Sequence, residues 1–233
     1  MCGRYVSPEQ AAMERFWHIG RHNWVNRFAS CFNVAPTSTV PILIRAQDGV
    51  LELVGARWGL IPHWWKQDMP PSLTFNSRSE EASRKPTWRH SLNKQRCLMP
   101  VRGWYEWQQA AAVQGAVGRK IKQPYFIHSS AFEVMAFAGL WATWKPSNAE
   151  PVVSCALLSK AAAPLIAQIH HRMPVVLKPQ HHEEWLDPGT SPGRVQAIID
   201  DCISDFEGYA VSTLVNNARN NTPQLIEKLA TAG

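Results

Sequence analysis

The feature that most constrains this chain is a series of short β-rich runs joined by connections too short to hold crossover helices. Two runs, 39–45 and 51–58, flank Gln47-Asp48-Gly49, a sequence typical of a hairpin turn. Further runs of this kind cover residues 96–101, 104–108, 125–128, 134–141, 152–158 and 175–177. Because parallel strands need a long crossover, this spacing predicts a mostly antiparallel, barrel-like sheet.

Helical patterns surround these runs. Ser7-Pro8-Glu9, followed by apolar residues, predicts a short capped helix near the N-terminus. Further helical patterns cover residues 162–169, 180–186, 194–199 and 223–229. The expected fold class is therefore α+β, with a mostly antiparallel, barrel-like β-sheet core and peripheral helices.

Length and composition indicate one globular domain. The chain has 233 residues, of which 45% are hydrophobic and 18% charged, and this excludes a disordered or coiled-coil protein. We expect a single domain over residues 1–233, with 108–122 as a loop insertion between two strands. The longest uncharged, mostly apolar stretch is 134–144, whereas a bilayer span needs about 20 residues, so we expect a soluble protein.

Cysteine and histidine spacing argues against a metal site. The five cysteines include no C-x-x-C pair, so neither a disulfide framework nor a cysteine-rich zinc site is indicated. The doublets His170-His171 and His181-His182 place adjacent rings on different faces of a strand or helix, which makes poor chelators. We expect no metal and no cofactor.

The N-terminus lacks an apolar signal region, which predicts a cytoplasmic protein.

Positive charge is concentrated in one part of the chain. Residues 1–100 contain 13 basic and 7 acidic residues, whereas residues 101–233 contain 11 of each. Arginines outnumber lysines 15 to 9, and arginine is the better partner for phosphate. The pattern favours a polyanionic partner, and a solvated basic surface without a partner is the alternative.

Several polar residues stand in apolar or aromatic surroundings. Glu106 lies within the sequence GWYEW at 103–107, and a carboxylate among aromatic rings should have a raised pKa, which suits proton transfer. The alternative is that Glu106 pairs with an arginine and stabilises the sheet. Polar residues beside other apolar runs are Asn76, Arg78, His170 and Arg172.

Cys2 offers a specific chemistry if Met1 is removed. It would then carry an α-amine and a thiol, whose ordinary pKa values are roughly 8 and about 8.5. The amine of such a 1,2-aminothiol forms a Schiff base with an aldehyde, and the thiol then closes on the imine carbon to give a thiazolidine ring. Position 2 alone does not establish this role.

These residues belong to an ordered set of motifs. The motifs are MCGRY (1–5), NVAPT (33–37), WGLIP (58–62), NSRSE (76–80), RCLMP (96–100), GWYEW (103–107), AGLW (138–141) and IHHRMP (169–174). The sequence therefore resembles the SRAP family, the SOS-response-associated peptidases or abasic-site processing proteins, over nearly the whole chain. The segments at 215–216 and 223–226 fit the family less specifically.

The resemblance implies a sensor of abasic sites in single-stranded DNA. It would form a covalent DNA–protein crosslink, a thiazolidine, through Cys2 after Met1 removal, with AP-lyase and self-processing peptidase activity. Asn76 would position the N-terminal residue and the sugar, Glu106 would transfer protons, and His170 would assist ring opening, strand cleavage or crosslink reversal. The implied DNA-binding residues are Arg4, Pro36, Trp64, Trp65, Arg78, Ser159 and Arg172. We expect a monomer.

Two segments depart from the family pattern, and two other functions remain open. The insertion at 108–122 is longer and richer in Ala and Gly than expected, and Leu158-Ser159 stands where the family predicts threonine-rich sequence. One alternative is a non-catalytic module that binds single-stranded DNA. The other is a thiol peptidase with Cys2 and His170 as nucleophile and base. Of the tryptophans, we expect Trp64, Trp65 and either Trp104 or Trp107 near the site, and the core to contain Trp17, Trp58, Trp141 and Trp185.

Overall fold

A computed structural model describes residues 2–19, 21–22, 28–71, 74–108, 122–146 and 149–230. The strands are β1 (Tyr5–Ser7), β2 (Arg21–His22), β3 (Cys31–Val34), β4 (Thr39–Arg45), β5 (Leu51–Trp58), β6 (Asn76–Arg78), β7 (Arg96–Val101), β8 (Gly103–Gln108), β9 (Gln123–His128), β10 (Met135–Trp144), β11 (Val152–Ala161), β12 (Arg172–Pro174), β13 (Val176–Leu177) and β14 (Glu207–Ala210). The helices are α1 (Gln10–Trp17), α2 (Ser79–Ala82), α3 (Pro86–Lys94), α4 (Pro164–Ala167), α5 (His182–Leu186) and α6 (Pro192–Asp200), with short 3-10 helices at Pro179–His181, Thr213–Asn216 and Pro223–Ile226.

Five strands close into a barrel in the order β11-β10-β7-β4-β5. The neighbours are antiparallel, and a parallel pairing of β5 with β11 completes the ring. A second, antiparallel sheet has the order β14-β9-β8-β1-β3. The expected α+β fold class, with a barrel-like, mostly antiparallel core, is thus confirmed.

The core lies inside the barrel and between the barrel and its helices. Trp58 and Trp185 are fully buried, and Trp17 and Trp141 are partly buried against the same cluster, so the four tryptophans assigned to the core lie there. A smaller cluster packs on the second sheet around Tyr105 and Phe126. Among the described residues, no helix is long and apolar enough to cross a bilayer.

Some sequence predictions fail at the ends of elements. Helix α1 begins at Gln10, and its N-cap residue Glu9 makes no side-chain capping bond. Ser7 does not cap the helix either, because it is part of β1. The predicted helix at 223–229 is only a 3-10 turn ending at Ile226, after which Leu229 bonds to Ala210. The predicted insertion at 108–122 falls mostly on residues 109–121, outside the described residues.

Candidate active site

Three strands bring distant parts of the sequence together at one end of β11. Strand β6 pairs with β11 in parallel, with Ser159 opposite Arg78. Strand β12 pairs with the other edge of β11, with Ala161 opposite Arg172. Because β11 lies between them, the residues of the NSRSE and IHHRMP motifs meet across one strand.

Asn76 contacts the N-terminal segment directly. Its Nδ2 donates a hydrogen bond of 2.7 Å to the backbone carbonyl O of Cys2. Asn76 is only 8% exposed, and its Oδ1 has no hydrogen-bond partner among the described residues. One end of the amide thus fixes Cys2, and the other end is a buried acceptor that a ligand can use.

The Cys2 thiol is fully buried. Its Sγ lies 3.6 Å from the backbone carbonyl O of Arg4, a weak hydrogen bond for a thiol. Burial raises the pKa of the Cys2 thiol well above its ordinary value, and the nearby Glu106 carboxylate raises it further. Cys2 is therefore held as a thiol beside Glu106 rather than as a thiolate.

Glu106 lies in the middle of β8, between β1 and β9. Gly103 begins this strand, and a Cβ there would lie 2.4 Å from Cζ of Phe126, so only glycine lets β8 approach β9 this closely. Glu106 is 2% exposed, and burial raises the pKa of its carboxyl to about 7. A carboxyl with this pKa exchanges protons readily near neutral pH.

His170 faces Glu106 from the turn that precedes β12. Its Nδ1 lies 3.9 Å from Oε2 of Glu106 and 3.1 Å from the backbone N of Arg172. The imidazole stacks on His171 with ring centroids 4.4 Å apart. Burial lowers the pKa of His170, so the ring is mainly neutral at pH 7 and can accept a proton.

Glu106 and His170 line an open cleft of about 400 Å³ together with Trp107, Lys122 and Asn216. Lys122 has no role predicted from the sequence, because it is the last residue of the proposed loop insertion and a lysine in a loop carries no pattern. Asn216 accepts a hydrogen bond of 2.7 Å from Trp107 Nε1, which connects the segment 215–216 to the strand of Glu106.

Arg4 is anchored to the C-terminal part of the chain. Its Nη1 donates to Oδ1 of Asn33 at 2.9 Å and to the carbonyl O of Val215 at 2.8 Å. Asn33 Nδ2 in turn donates to Val215 O at 3.2 Å. The backbone N of Tyr105 donates to Arg4 O at 3.0 Å, which places Arg4 next to the strand of Glu106.

Arg172 and Ser159 form a second polar cluster at the end of β11. The Arg172 guanidinium donates to both carboxylate oxygens of Glu80, at 2.7 and 2.9 Å. It also lies 3.3 Å from Ser159 Oγ, whose hydroxyl is fully buried and donates to Ser77 O. Ser159 therefore faces Arg172 rather than solvent.

Arg78 and Pro36 lie closer to the surface. Arg78 is exposed and makes a 3.4 Å ion pair with Glu81. Pro36 is half-buried in the turn after β3. The next residue, Thr37, has a φ of 73°, a left-handed conformation that is unusual for a β-branched side chain. Its backbone N donates to Trp58 O at 2.8 Å, which holds the turn against the barrel.

Trp64 and Trp65 lie on the loop after β5, and neither lines the cleft of Glu106 and His170. Trp64 is 44% exposed and lines a cavity with cationic and imidazole side chains of the loop and α3, namely His63, Arg89, His90 and Lys94. Trp65 is half-buried and donates from Nε1 to Met69 O at 2.8 Å. Trp104, by contrast, is fully buried against Phe137 and Phe206, whereas Trp107 lines the cleft with Glu106 and His170.

Among the described residues, neither histidine doublet belongs to a cluster of metal-ligating side chains. Within the part of the chain that the structure describes, no group of three or more His, Cys, Asp or Glu side chains converges as metal ligands would.

Comparison with known proteins places this site in context. The sequence matches the profile of the family described as SOS response associated peptidase (SRAP) over residues 1–218. It is 34% identical over 232 residues to the abasic site processing protein YoqW of Bacillus subtilis (strain 168), which covers 97% of this chain and 99% of the relative. It is 29% identical over 267 residues to the abasic site processing protein HMCES of Gallus gallus, with 97% and 77% covered.

Solved structures share the fold. A crystal structure of a protein from Bordetella bronchiseptica superposes with a TM-score of 0.74 at 22% identity, covering 91% of this chain and 100% of that one. One from Bacteroides thetaiotaomicron superposes with a TM-score of 0.73 at 23% identity, covering 85% of both chains. At these identities the likeness establishes the architecture alone.

Proposed function

Because the chain belongs to the SRAP family, we propose that it processes abasic sites in single-stranded DNA and forms a covalent crosslink through Cys2. Its relatives YoqW and HMCES are named abasic site processing proteins. The observation that carries the proposal is the Asn76–Cys2 hydrogen bond of 2.7 Å, which holds Cys2 beside the buried Glu106 and its neighbour His170.

The chemistry begins with loss of Met1. Hydrolysis of the peptide bond between Met1 and Cys2 consumes one water and frees the α-amine of Cys2. The amine attacks the aldehyde of the ring-opened abasic sugar, and one water leaves as the imine forms. The Cys2 sulfur then bonds to the imine carbon, and the thiol proton ends on the nitrogen, giving the thiazolidine. No oxidant or reductant is needed.

The buried acid and base suit these proton transfers. Glu106, with a pKa of about 7, protonates the sugar ring oxygen during ring opening and takes a proton from the attacking amine. His170, mainly neutral at pH 7, accepts protons in strand cleavage or crosslink reversal, the AP-lyase part of the proposal. Asn76 Oδ1, buried without a partner among the described residues, accepts a hydrogen bond from the freed amine or a sugar hydroxyl.

Strand binding would use arginines around this centre and a tryptophan beside α3. Arg4, Arg78 and Arg172 hold phosphates beside the lesion. Pro36 and Ser159 are the other proposed DNA-binding residues, and Ser159 acts by holding the guanidinium of Arg172. Trp64, exposed beside Arg89 and Lys94, offers a stacking platform of the kind that single-strand binders use. Trp65 positions this loop. An abasic nucleotide has no base to displace, so its sugar enters a narrow cleft at low cost.

A denaturing gel tests the proposal. Protein shown by intact mass spectrometry to lack Met1 is incubated with a single strand that contains one abasic site. We expect a slow-migrating adduct that survives denaturation and is absent with Cys2→Ala. A Cys31→Ala variant, which removes a partly exposed thiol outside the cleft, should form the adduct like the wild type.

Two results would reject the proposal in favour of another function. Salt-sensitive binding to intact and abasic strands alike, with nothing left after denaturation, indicates a non-catalytic single-strand binding module. Cleavage of other polypeptides that depends on Cys2 and His170, without any DNA adduct, indicates a thiol peptidase. The self-processing peptidase activity needs a separate test. If the protein removes its own Met1, Glu106→Gln and Asn76→Ala should retain Met1 when expressed in the same host.

A further inference from the structure

In this structure the guanidinium of Arg172 is already occupied by an anion of the protein itself. Nη1 and Nη2 donate to the two carboxylate oxygens of Glu80, at 2.7 and 2.9 Å. A phosphate group accepts from an arginine with the same parallel pair of N–H bonds. Glu80 thus fills the position that a backbone phosphate would take on Arg172.

The remaining donors of Arg172 leave little for a second anion. Its Nη2 also donates to the backbone carbonyl O of Ser159 at 2.5 Å. Its Nε is buried without a hydrogen-bond partner among the described residues. Of the five N–H groups of the guanidinium, two bind Glu80, one binds Ser159 and the one on Nε is buried. Only one N–H on Nη1 therefore remains for another anion while Glu80 is bound. A two-point grip on phosphate therefore requires Glu80 to leave.

Electrostatics leads to the same requirement. The hydrogen bonds from Arg172 lower the pKa of Glu80, so the carboxylate is ionised at neutral pH. The pair then has no net charge, and a phosphodiester approaching Arg172 meets the negative Glu80 first. The arginine attracts DNA only to the extent that this pair opens.

Glu80 is placed to leave at low cost. Its side chain is 51% exposed, whereas that of Arg172 is 12% exposed. Opening the pair moves Glu80 into water while Arg172 stays anchored to Ser159. Because half of the Glu80 side chain already lies in water, an incoming phosphate can compete with this carboxylate for Arg172.

We propose that Glu80 is an internal competitor that exchanges with a DNA backbone phosphate on Arg172 and so limits the affinity of the site for single strands. The proposal rests on the proposed function, in which Arg172 binds phosphate. Glu80 acts through Arg172 and touches no reacting atom. Its effect falls on strand affinity and not on the rate at saturating DNA.

The test measures binding of a fluorescent oligothymidine single strand without an abasic site, by anisotropy. We expect Glu80→Gln to bind about fivefold more tightly than the wild type, because the neutral amide competes less well than a carboxylate with phosphate for Arg172. In an Arg172→Gln background the same substitution should give no gain. The matched control is Glu184→Gln, which breaks the equally bidentate surface pair of Glu184 with Arg194 and should not change affinity.

Three outcomes would overturn the competitor role. Equal or weaker binding by Glu80→Gln means that Glu80 supports Arg172 instead of competing with DNA. A gain that persists in the Arg172→Gln background means a general charge effect. A wild type that binds no strand at any salt concentration means that Arg172 holds no phosphate. Should Glu80→Gln fail to fold in a thermal scan, Glu80→Asp, too short for the two-point contact, is expected to bind more tightly as well.

The proposed function is judged independently of this competition. Adduct formation on the abasic strand depends on Cys2, whereas the affinity measurement uses intact strands. An adduct with unchanged Glu80→Gln affinity rejects the competitor alone. Tighter binding by Glu80→Gln with no adduct from the wild type rejects the crosslinking function alone.

Discussion

The imidazole Nδ1 of His170 lies 3.9 Å from the carboxylate Oε2 of Glu106. Burial raises the pKa of Glu106 to about 7, and burial lowers the pKa of His170. Near neutral pH a carboxyl that is still partly protonated therefore lies next to an imidazole that is mainly neutral. In the proposed function, their environments and not their residue types would fit Glu106 to act as the acid and His170 as the base.

The raised pKa of Glu106 predicts a pH-dependent loss of stability. In the unfolded chain this carboxyl ionises near its ordinary pKa of 4.5, while in the folded protein it keeps its proton up to about pH 7. The stability that the buried carboxyl contributes is therefore fully present below its unfolded pKa of 4.5 and is lost as pH rises through its folded pKa of about 7. Glu106→Gln cannot ionise, and above about pH 8 it should raise the free energy of unfolding relative to the wild type by about 3 kcal/mol.

Urea unfolding of both proteins at about pH 4 and about pH 8 measures this difference. Glu133→Gln, an exposed carboxylate at the start of the β10 region, serves as the control and should show no such trend. A Glu106→Gln gain that is equal at both pH values would contradict the raised pKa. In adduct assays with protein that lacks Met1, the same variant should be slower than the wild type and lose any rate change centred near pH 7.

The architecture was predictable because local spacing determines it. Short connections exclude crossover helices, and the barrel strands at 39–45, 51–58 and 96–101 form where the sequence predicts them. Helix α3 was missed, since Pro86 begins it but few apolar residues follow: only Trp88 and Leu92 of its apolar side chains are buried. The short strands β6 and β12 were missed because three residues carry no periodic signal.

The site was predictable only in part. Glu106 was identified from its aromatic surroundings, because burial of a carboxylate follows from its neighbours in sequence. The contacts of Asn76 with Cys2 and of Arg172 with Glu80 join residues 74 and 92 positions apart. They depend on the register of β6 and β12 on β11, which no local pattern encodes. Resemblance to a family identified the residues, and only the structure gave their contacts.

Asn76→Ala is expected to slow adduct formation by about tenfold or more while leaving strand affinity unchanged. The variant removes the Nδ2 donor that holds the carbonyl O of Cys2, so the nucleophile loses its fixed orientation. Adduct formation is followed at saturating abasic strand with variant protein shown by intact mass spectrometry to lack Met1, and affinity is measured with intact strand. A variant that reacts at the wild-type rate would show that Asn76 does not position Cys2.

Arg96 illustrates a motif residue whose role is structural. It is 3% exposed and donates to carbonyl oxygens at the C-terminal ends of two helices, α3 (Leu92 and Asn93) and α5 (Trp185 and Asp187). The negative ends of these helices compensate the buried guanidinium. Arg96→Met leaves these carbonyls without donors and should lower the free energy of unfolding by roughly 3 kcal/mol or more.

Urea unfolding measures this loss, and Arg194→Met, which disrupts only a surface pair, should cost far less stability than Arg96→Met. Below its melting temperature Arg96→Met should still form the DNA adduct. A folded variant that cannot do so would give Arg96 a part in the reaction instead.

Lys122, for which no sequence pattern predicts a role, allows a test of the electrostatics of the cleft. It lines the cleft with Glu106 and His170, and its charge is one of the smaller effects, after burial, that lower the pKa of His170. Lys122→Gln should therefore raise the pKa of His170, as followed by NMR titration of the imidazole. Lys145→Gln removes the same charge from an exposed residue outside the cleft and should leave that pKa unchanged. Equal titration curves for wild type and Lys122→Gln would place the ammonium away from His170.

Trp64 tests whether the surface beside α3 takes part in strand binding. Its side chain is 44% exposed and lies outside the hydrophobic core, so Trp64→Ala should lower the free energy of unfolding without preventing folding. If bases stack on the indole, the same variant should weaken binding of an intact single strand by about 1–3 kcal/mol. The control is Met69→Ala on the same loop, which is 76% exposed and presents no ring, and which should bind as the wild type does. Because stacking is independent of sequence, the loss should be similar for oligothymidine and oligoadenosine strands. A Trp64→Ala variant with wild-type affinity would confine DNA binding to the arginines around Cys2 and leave the tryptophan without a part in it.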